Sequence, residues 1–346
     1  MSNLAKQQPD AGGSIEHGGD LAEARALFPD APAPWIDLST GINPVPYPLG
    51  ELPLSAFHRL PSPSELSELE AAARSLYRAP PATGVVAAPG TQALIELLPR
   101  LRGTSRVSIV GPTYGEHAHA WAKAGHSVGE VSELDEARPA DVVVVVNPNN
   151  PDGRVTAAEQ LHAVATRVAN WGGWLIVDEA FADFDSDMSI VPQMPENVIV
   201  LRSFGKTFGL AGVRLGFLAA AADVAGEVRA RMGPWAVSGP AISLGRRALS
   251  DRIWIEEARL ARSLDAERLD GLLTPLLGPP IGGTVLYRTF RSTAAATVFD
   301  GFGQAGIWAR RFARDPDLLR FGLPGTDAEW QRLEAACTEI RTDSPV

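Results

Sequence analysis

The sequence predicts an α/β fold in which a mostly parallel sheet is covered by helices, with a small α+β unit at the C-terminal end. Short continuous runs of Val, Ile and Leu, such as Val142 to Val146, read as strands buried on both faces. Between these runs lie stretches with apolar residues at helical spacing, so strand and helix signals alternate. Glycine-rich and polar motifs follow the predicted strands one after another, where open α/β sheets bind ligands.

Along the chain, residues 1–14 have no apolar core and read as a disordered tail rather than a signal peptide. Residues 15–49 carry proline at 29, 32, 34, 44, 46 and 48, which predicts an N-terminal arm packed without regular structure. A large domain is expected over 50–278. Ser62-Pro63-Ser64-Glu65 opens it as a capping box with proline at the first helical position. Leu66, Leu69, Ala73 and Leu76 then share one helix face, and Pro80-Pro81 ends the run. Strands follow at 84–88, 107–110, 142–146, 174–177 and 198–201, with helices at 91–100, 115–124 and 157–170. Residues 252–277 read as one long charged helix. Pro279-Pro280 and Gly282-Gly283 then punctuate the chain, and 279–346 is expected to form the small domain.

Composition narrows the function. The chain has 346 residues and a formal net charge of −10, which disfavours a nucleic-acid partner but leaves room for an anion at a local arginine cluster. The single cysteine, Cys337, excludes an internal disulfide framework and suits a reducing cytosol. The valine run 142–146 is far shorter than the roughly 20 residues a bilayer needs, so no membrane partner is expected.

Two motifs are decoys. Gly205-Lys206-Thr207 looks like the end of a phosphate-binding P-loop, but position 200, where that loop needs glycine, is Val200. GFGQAG at 301–306 fits a dinucleotide fingerprint, yet too little chain follows for the βαβ units such a fold requires, and the end of a helix is the simpler reading. The six histidines show no metal-ligand spacing, and His117 and His119 fall on different helix faces.

Other signals sit where predicted strands end. APGTQAL (88–94) runs through Gly90, Thr91 and Gln92 into a helix whose first N–H groups suit an anion. GPTYGEH (111–117) places Tyr114 after a strand, NPNNPDG (147–153) places Asn150 after the valine run, and IVDEAF (176–181) puts Asp178 at the end of an apolar strand. RSFGKTFG (202–209) puts Ser203 and Lys206 after the next strand. Singly, each has a plainer reading: a helix cap for Asp178, packing for Tyr114, a turn for Asn150, a solvated cation for Lys206. Their order within one α/β segment is what argues for a single site. An apolar setting would favour the neutral amine of Lys206.

These residues resemble fold-type I pyridoxal-phosphate enzymes of the aspartate-aminotransferase kind, over about 35–340. The resemblance implies that Lys206 bonds the cofactor's aldehyde, Asp178 pairs with the pyridine nitrogen, Asn150 meets the ring hydroxyl and Tyr114 stacks on the ring. It assigns Gly90, Thr91, Ser203 and Arg214 to the cofactor phosphate, with Gln92 also among the cofactor-binding residues. LRFGLPG (319–325) resembles the segment whose arginine binds a substrate carboxylate, here Arg320. GIWARRF (306–312) resembles the phosphate-binding segment of histidinol-phosphate aminotransferases, pointing to Arg310 with Arg311 beside it. The stretch 17–48 looks like the threonine-phosphate decarboxylases of cobalamin biosynthesis and adds His17 and Asn43 over the substrate.

Three positions depart from the wider pattern. Phe181 replaces a tyrosine that also contacts the ring hydroxyl, Gly205 removes a hydroxyl just before the lysine, and Leu60 stands where a tyrosine reaches the partner subunit's cofactor phosphate. The resemblance implies a cytoplasmic, homodimeric lyase that decarboxylates L-threonine O-3-phosphate, a small phosphorylated amino acid. Transamination of a phosphorylated amine such as histidinol phosphate is the alternative reading. A non-catalytic sensor or interaction module is a second, although no extra DNA-binding segment is left over.

Overall fold

The computed structural model describes residues 17–137 and 140–343; the expected tail at 1–14 lies outside the described residues. The N-terminal arm corrects the expectation of irregular packing. Asp20 caps α1 (Leu21–Leu27) by accepting from the Ala22 and Glu23 N–H groups. β1 (Ile36–Asp37) pairs in parallel with residues 307–308, a partner remote in sequence that proline spacing cannot reveal. After the single turn α2 (Ser55–His58), α3 (Pro63–Tyr77) starts at the expected capping box. Its Leu69, Ala73 and Leu76 are buried.

The central sheet contains β2 (Gly84–Ala88), β3 (Arg106–Val110), β4 (Ser127–Val131), β5 (Val142–Val146), β6 (Trp174–Asp178), β7 (Val198–Ser203) and β8 (Gly216–Ala220), in the order β2-β8-β7-β6-β5-β3-β4. β8 is antiparallel to both neighbours and the other pairs are parallel. All of β5 is buried. Val143 and Val145 enter one apolar core while Val142 and Val144 enter another, so both faces of the sheet are covered. β4 escapes sequence reading because SVGEV is a half-exposed edge strand with no apolar run.

Helices α4 (Thr91–Leu97), α5 (Glu116–Lys123) and α6 (Ala158–Ala169) connect these strands. α4 is shorter than expected because Pro99 has no N–H to continue it, and a 3₁₀ turn (Leu98–Leu101) takes over. The single turn α7 (Phe204–Thr207) follows β7, and α8 (Ala222–Met232) and α9 (Gly239–Ser250) follow β8.

α10 (Arg252–Leu277) is one helix, as its sequence predicts. Its Ile255 and Ala258 join the core beside the central sheet, while Ala266, Leu269, Leu273 and Leu277 join a second core with Phe290, Phe302, Phe321 and Trp330. That second core lies under β9 (Gly282–Thr284), β10 (Tyr287–Arg291), α11 (Ala295–Gln304), β11 (Ile307–Trp308), β12 (Arg310–Arg311), β13 (Leu318–Gly322) and α12 (Asp327–Asp343). β12, β13, β10 and β9 form an antiparallel sheet in that order. GFGQAG holds the end of α11, followed by Gly306 at φ +69°. Among the described residues no helix is long and apolar enough to cross a membrane.

Candidate active site

Strand directions gather the motifs on one edge of the central sheet. β2, β3, β5, β6 and β7 all end there. β8, running the other way, begins there, and Gly216 lies opposite both Ala88 and Ser203. This reversal brings Arg214 back beside the start of α4. Gly90 has φ +86°, and a Cβ there would stand 2.7 Å from Arg214 Nη2, so only glycine lets the guanidinium lie this close. Gly90, Thr91, Gln92, Ser203 and Arg214 are thus neighbours around one corner of the edge.

Asp178 is the last residue of β6, opposite Val146 of β5 and Leu201 of β7. Its Oδ1 accepts from the Ala180 N–H at 3.1 Å, and its Oδ2 is 2.8 Å from His117 Nε2. Both side chains are buried. Sequence reading passed over His117 because it weighed that histidine only as a metal ligand. The available signal was its place in the first turn of the helix that follows Tyr114, the strand-end position that faces the site.

The residue before it in that helix, Glu116, organises the mouth. Gln92 Nε2 donates to Glu116 Oε2 at 2.7 Å, and His17 Nε2 lies 3.0 Å from Glu116 Oε1. Tyr114 OH donates to Gln92 Oε1 at 3.4 Å, and its ring centroid is 6.3 Å from that of His17. Burial, with Glu116 and Asp178 nearby, pushes the Tyr114 hydroxyl up to about 12.

Lys206, in α7, holds its ammonium 5.5 Å from the centroid of the Phe181 ring. Burial, helped by Arg320 and Arg214 and opposed by Asp178, lowers its pKa to about 8. Gly205 has a steric reason: a Cβ there would lie 2.7 Å from Ala211 Cα. Phe181 packs edge-on against Tyr287, ring centroids 5.0 Å apart. Leu60 is 62% exposed.

Arg320 of β13 donates through Nη1 to Asn150 Oδ1 and through Nη2 to Ser39 O at 2.8 Å, while its buried Nε has no partner. Burial lowers it to about 10, with Tyr287 acting against that shift and Arg310 reinforcing it. Arg310 lies directly opposite Arg320 across β12 and β13 and so shares its face. Arg311 turns the other way, to Glu23 of α1 at 3.0 Å. Asn43 is buried with its amide engaged by Thr207 O, the Val45 N–H and Arg262, so it grips protein groups in this arrangement.

Known proteins match this architecture. The model of aminotransferase class I and II matches residues 51–333. A threonine-phosphate decarboxylase of Pseudomonas aeruginosa is 42% identical over 93% of this chain and 97% of its own length. One from a Sinorhizobium species is 41% identical over 94% and 98%. The fold of a histidinol-phosphate aminotransferase from Sinorhizobium meliloti, solved in complex with pyridoxal-5'-phosphate, superimposes with a TM-score of 0.77 at 21% identity, covering 96% of each chain. A sheet edge of this build, matched by family and by relatives over most of its length, shows that the chain belongs to the aminotransferase class I and II family.

Proposed function

We propose that this protein decarboxylates L-threonine O-3-phosphate to (R)-1-amino-2-propanol O-2-phosphate, a step of cobalamin biosynthesis. The observation that carries the reading is Arg310 opposite Arg320: two cations on one face suit a substrate with two anionic ends. The 41–42% identity to threonine-phosphate decarboxylases over nearly the whole chain supports the same substrate class.

The family's cofactor is pyridoxal phosphate, and the residues present fit it. Lys206 has its amine shifted toward the neutral, nucleophilic form, Asp178 offers a buried carboxylate, and Gly90 leaves room beside Arg214. When bound, the cofactor supplies an electron sink for the pair released as the Cα–carboxylate bond breaks. Asp178, oriented by His117, would hold the proton of the pyridine nitrogen. Asn150 would meet the ring hydroxyl, Tyr114 would cover the ring, and Gly90, Thr91, Gln92, Ser203 and Arg214 would hold the phosphate.

The remaining residues act on substrate. Arg310 and His17 would bind its phosphate and Arg320 its carboxylate, which sets the rotation about Cα and so which of its bonds is broken. Remote binding energy is thereby used for orientation. Lys206 delivers the proton that returns to Cα after CO₂ leaves. Phe181 carries no hydroxyl, so Asn150 would serve the ring oxygen without help from that position.

We further infer a cytoplasmic homodimer. The half-apolar segment around α2 exposes Leu54, Phe57 and Leu60 together, which a second copy would cover.

The test is direct. Purified protein loaded with pyridoxal phosphate should release CO₂ from threonine phosphate with no oxo-acid acceptor. Release no faster than from Lys206→Ala ends the decarboxylase reading. Amino transfer from histidinol phosphate to an oxo acid would replace it with the aminotransferase one.

A further inference from the structure

The Lys206 turn is held from the N-terminal arm. α7 is a single turn, and its own bonds are long: the Phe208 N–H reaches Phe204 O and the Gly209 N–H reaches Lys206 O, each at 3.3 Å. The arm adds shorter ones. The Asn43 N–H donates to Lys206 O at 2.9 Å, Asn43 Nδ2 donates to Thr207 O at 2.9 Å, and the Tyr47 N–H donates to Phe208 O at 2.9 Å. Asn43 is in turn held by α10, where Arg262 Nη1 donates to Asn43 Oδ1 at 3.2 Å.

Arg262 is buried, and its Nε donates to Asp265 Oδ2 at 2.7 Å. It lies on α10 between Ala258, in the core beside the central sheet, and Ala266, in the second core. A buried guanidinium is retained only where its partners are fixed. Asp265 anchors one side of this one, which leaves Nη1 to fix the orientation of the Asn43 amide together with the Val45 N–H, which donates to the same oxygen at 3.1 Å.

We infer that Arg262 is a positioning residue for Lys206, acting through Asn43 and tying the lysine turn to the helix that joins the two cores. The inference rests on Lys206 being the reactive amine but not on the identity of the substrate. Without the guanidinium, only the Val45 N–H still holds the amide oxygen, so the amide turns more readily away from Thr207 O, α7 loosens, and water reaches the amine. The charged groups that face Lys206 come from three other elements: Asp178 ending β6, Arg214 before β8 and Arg320 of β13. Arg262 bonds none of these three; its partners are Asp265 and Asn43.

The experiment tracks Lys206 in the full-length protein freed of cofactor. Acetylation by excess acetic anhydride is measured at the Lys206 peptide by mass spectrometry across a pH series. Wild type should show a midpoint near 8. Arg262→Met should raise the midpoint by about one pH unit as the amine gains water. Asn43→Ser should do the same, and the double variant should move it no further. Arg262→Lys, which keeps a donor, should stay close to wild type. The inference is overturned if folded Arg262→Met titrates like wild type, or if the two single shifts add in the double variant. Should Arg262→Met fail to fold, Arg262→Gln takes its place under the same two criteria. A Lys206 profile with no break below pH 10 removes both this inference and the reading of Lys206 as the reactive amine. Expected titrations without CO₂ release remove only the proposed substrate.

Discussion

His117 and Asp178, 61 residues apart in sequence, meet as a buried pair with Nε2 2.8 Å from Oδ2. The carboxylate accepts and the imidazole donates, so the histidine fixes which way Asp178 faces. His117→Ala leaves a buried carboxylate with the backbone N–H of Ala180 as its remaining hydrogen-bond donor. We expect a stability loss of about 1–3 kcal/mol and a fall in turnover on the order of 10–100-fold. Thermal melting and CO₂-release kinetics check both, and unchanged turnover would remove His117 from the site.

Lys206 makes a prediction about pH and stability. Its folded pKa of about 8 lies below the ordinary 10.5, so between those values the unfolded chain binds more protons than the folded one. The burden of this buried amine is therefore largest below pH 8 and is relieved as pH rises to 10.5. Partial solvation keeps it under roughly 3 kcal/mol. Lys206→Met should abolish activity yet raise the melting temperature of the cofactor-free protein at pH 7, and the gain should shrink toward pH 10.5. A melting temperature that falls at pH 7 would contradict this.

Arg310 and Arg311 are adjacent in sequence but face opposite ways. Arg310→Gln should raise KM for threonine phosphate by on the order of 10–100-fold, the equivalent of one charge-assisted contact. Arg311→Gln removes the exposed link to Glu23 and should change KM less than about threefold, with at most ~1 kcal/mol lost in stability. Steady-state kinetics on the two variants decide it, and the opposite ranking would exchange their roles.

Arg202, the residue before Ser203, is buried between Glu179 Oε2 and Asp183 Oδ1, each at 2.6 Å. Glu179 comes directly after Asp178, so this cluster ties the ends of β6 and β7 beneath the site. Ser189 and the Ile190 N–H complete the partners of Glu179. Arg202→Met strands two buried carboxylates, and we expect a loss of about 3–5 kcal/mol in chemical denaturation at neutral pH. Burial raises both acids, so the deficit should narrow as the pH is lowered and they take up protons. A loss below 1 kcal/mol would show that the carboxylates find other partners.

Much of the site is legible because it hangs on short local patterns. The valine run at 142–146 can only be a buried strand, and the residues just past the end of such a strand face the ligand edge. Asn150, Asp178, Ser203 and Lys206 inherit their placement from that rule. The capping box at Ser62 and the length of α10 are equally local, written in caps and spacing.

The features that escaped depend on chain segments far apart. The valines, the strand-end motifs and the lysine in its glycine-rich turn specify an α/β sheet with a reactive edge, because period and punctuation act within a few residues. The antiparallel course of β8 brings Arg214 to Gly90, and the pairing of β12 with β13 separates Arg310 from Arg311. His117 reaches Asp178 across 61 residues, and Arg262 reaches Asn43 across 219. These were settled by packing, since hydrogen-bond direction and burial between distant segments exist only once the chain has closed on itself.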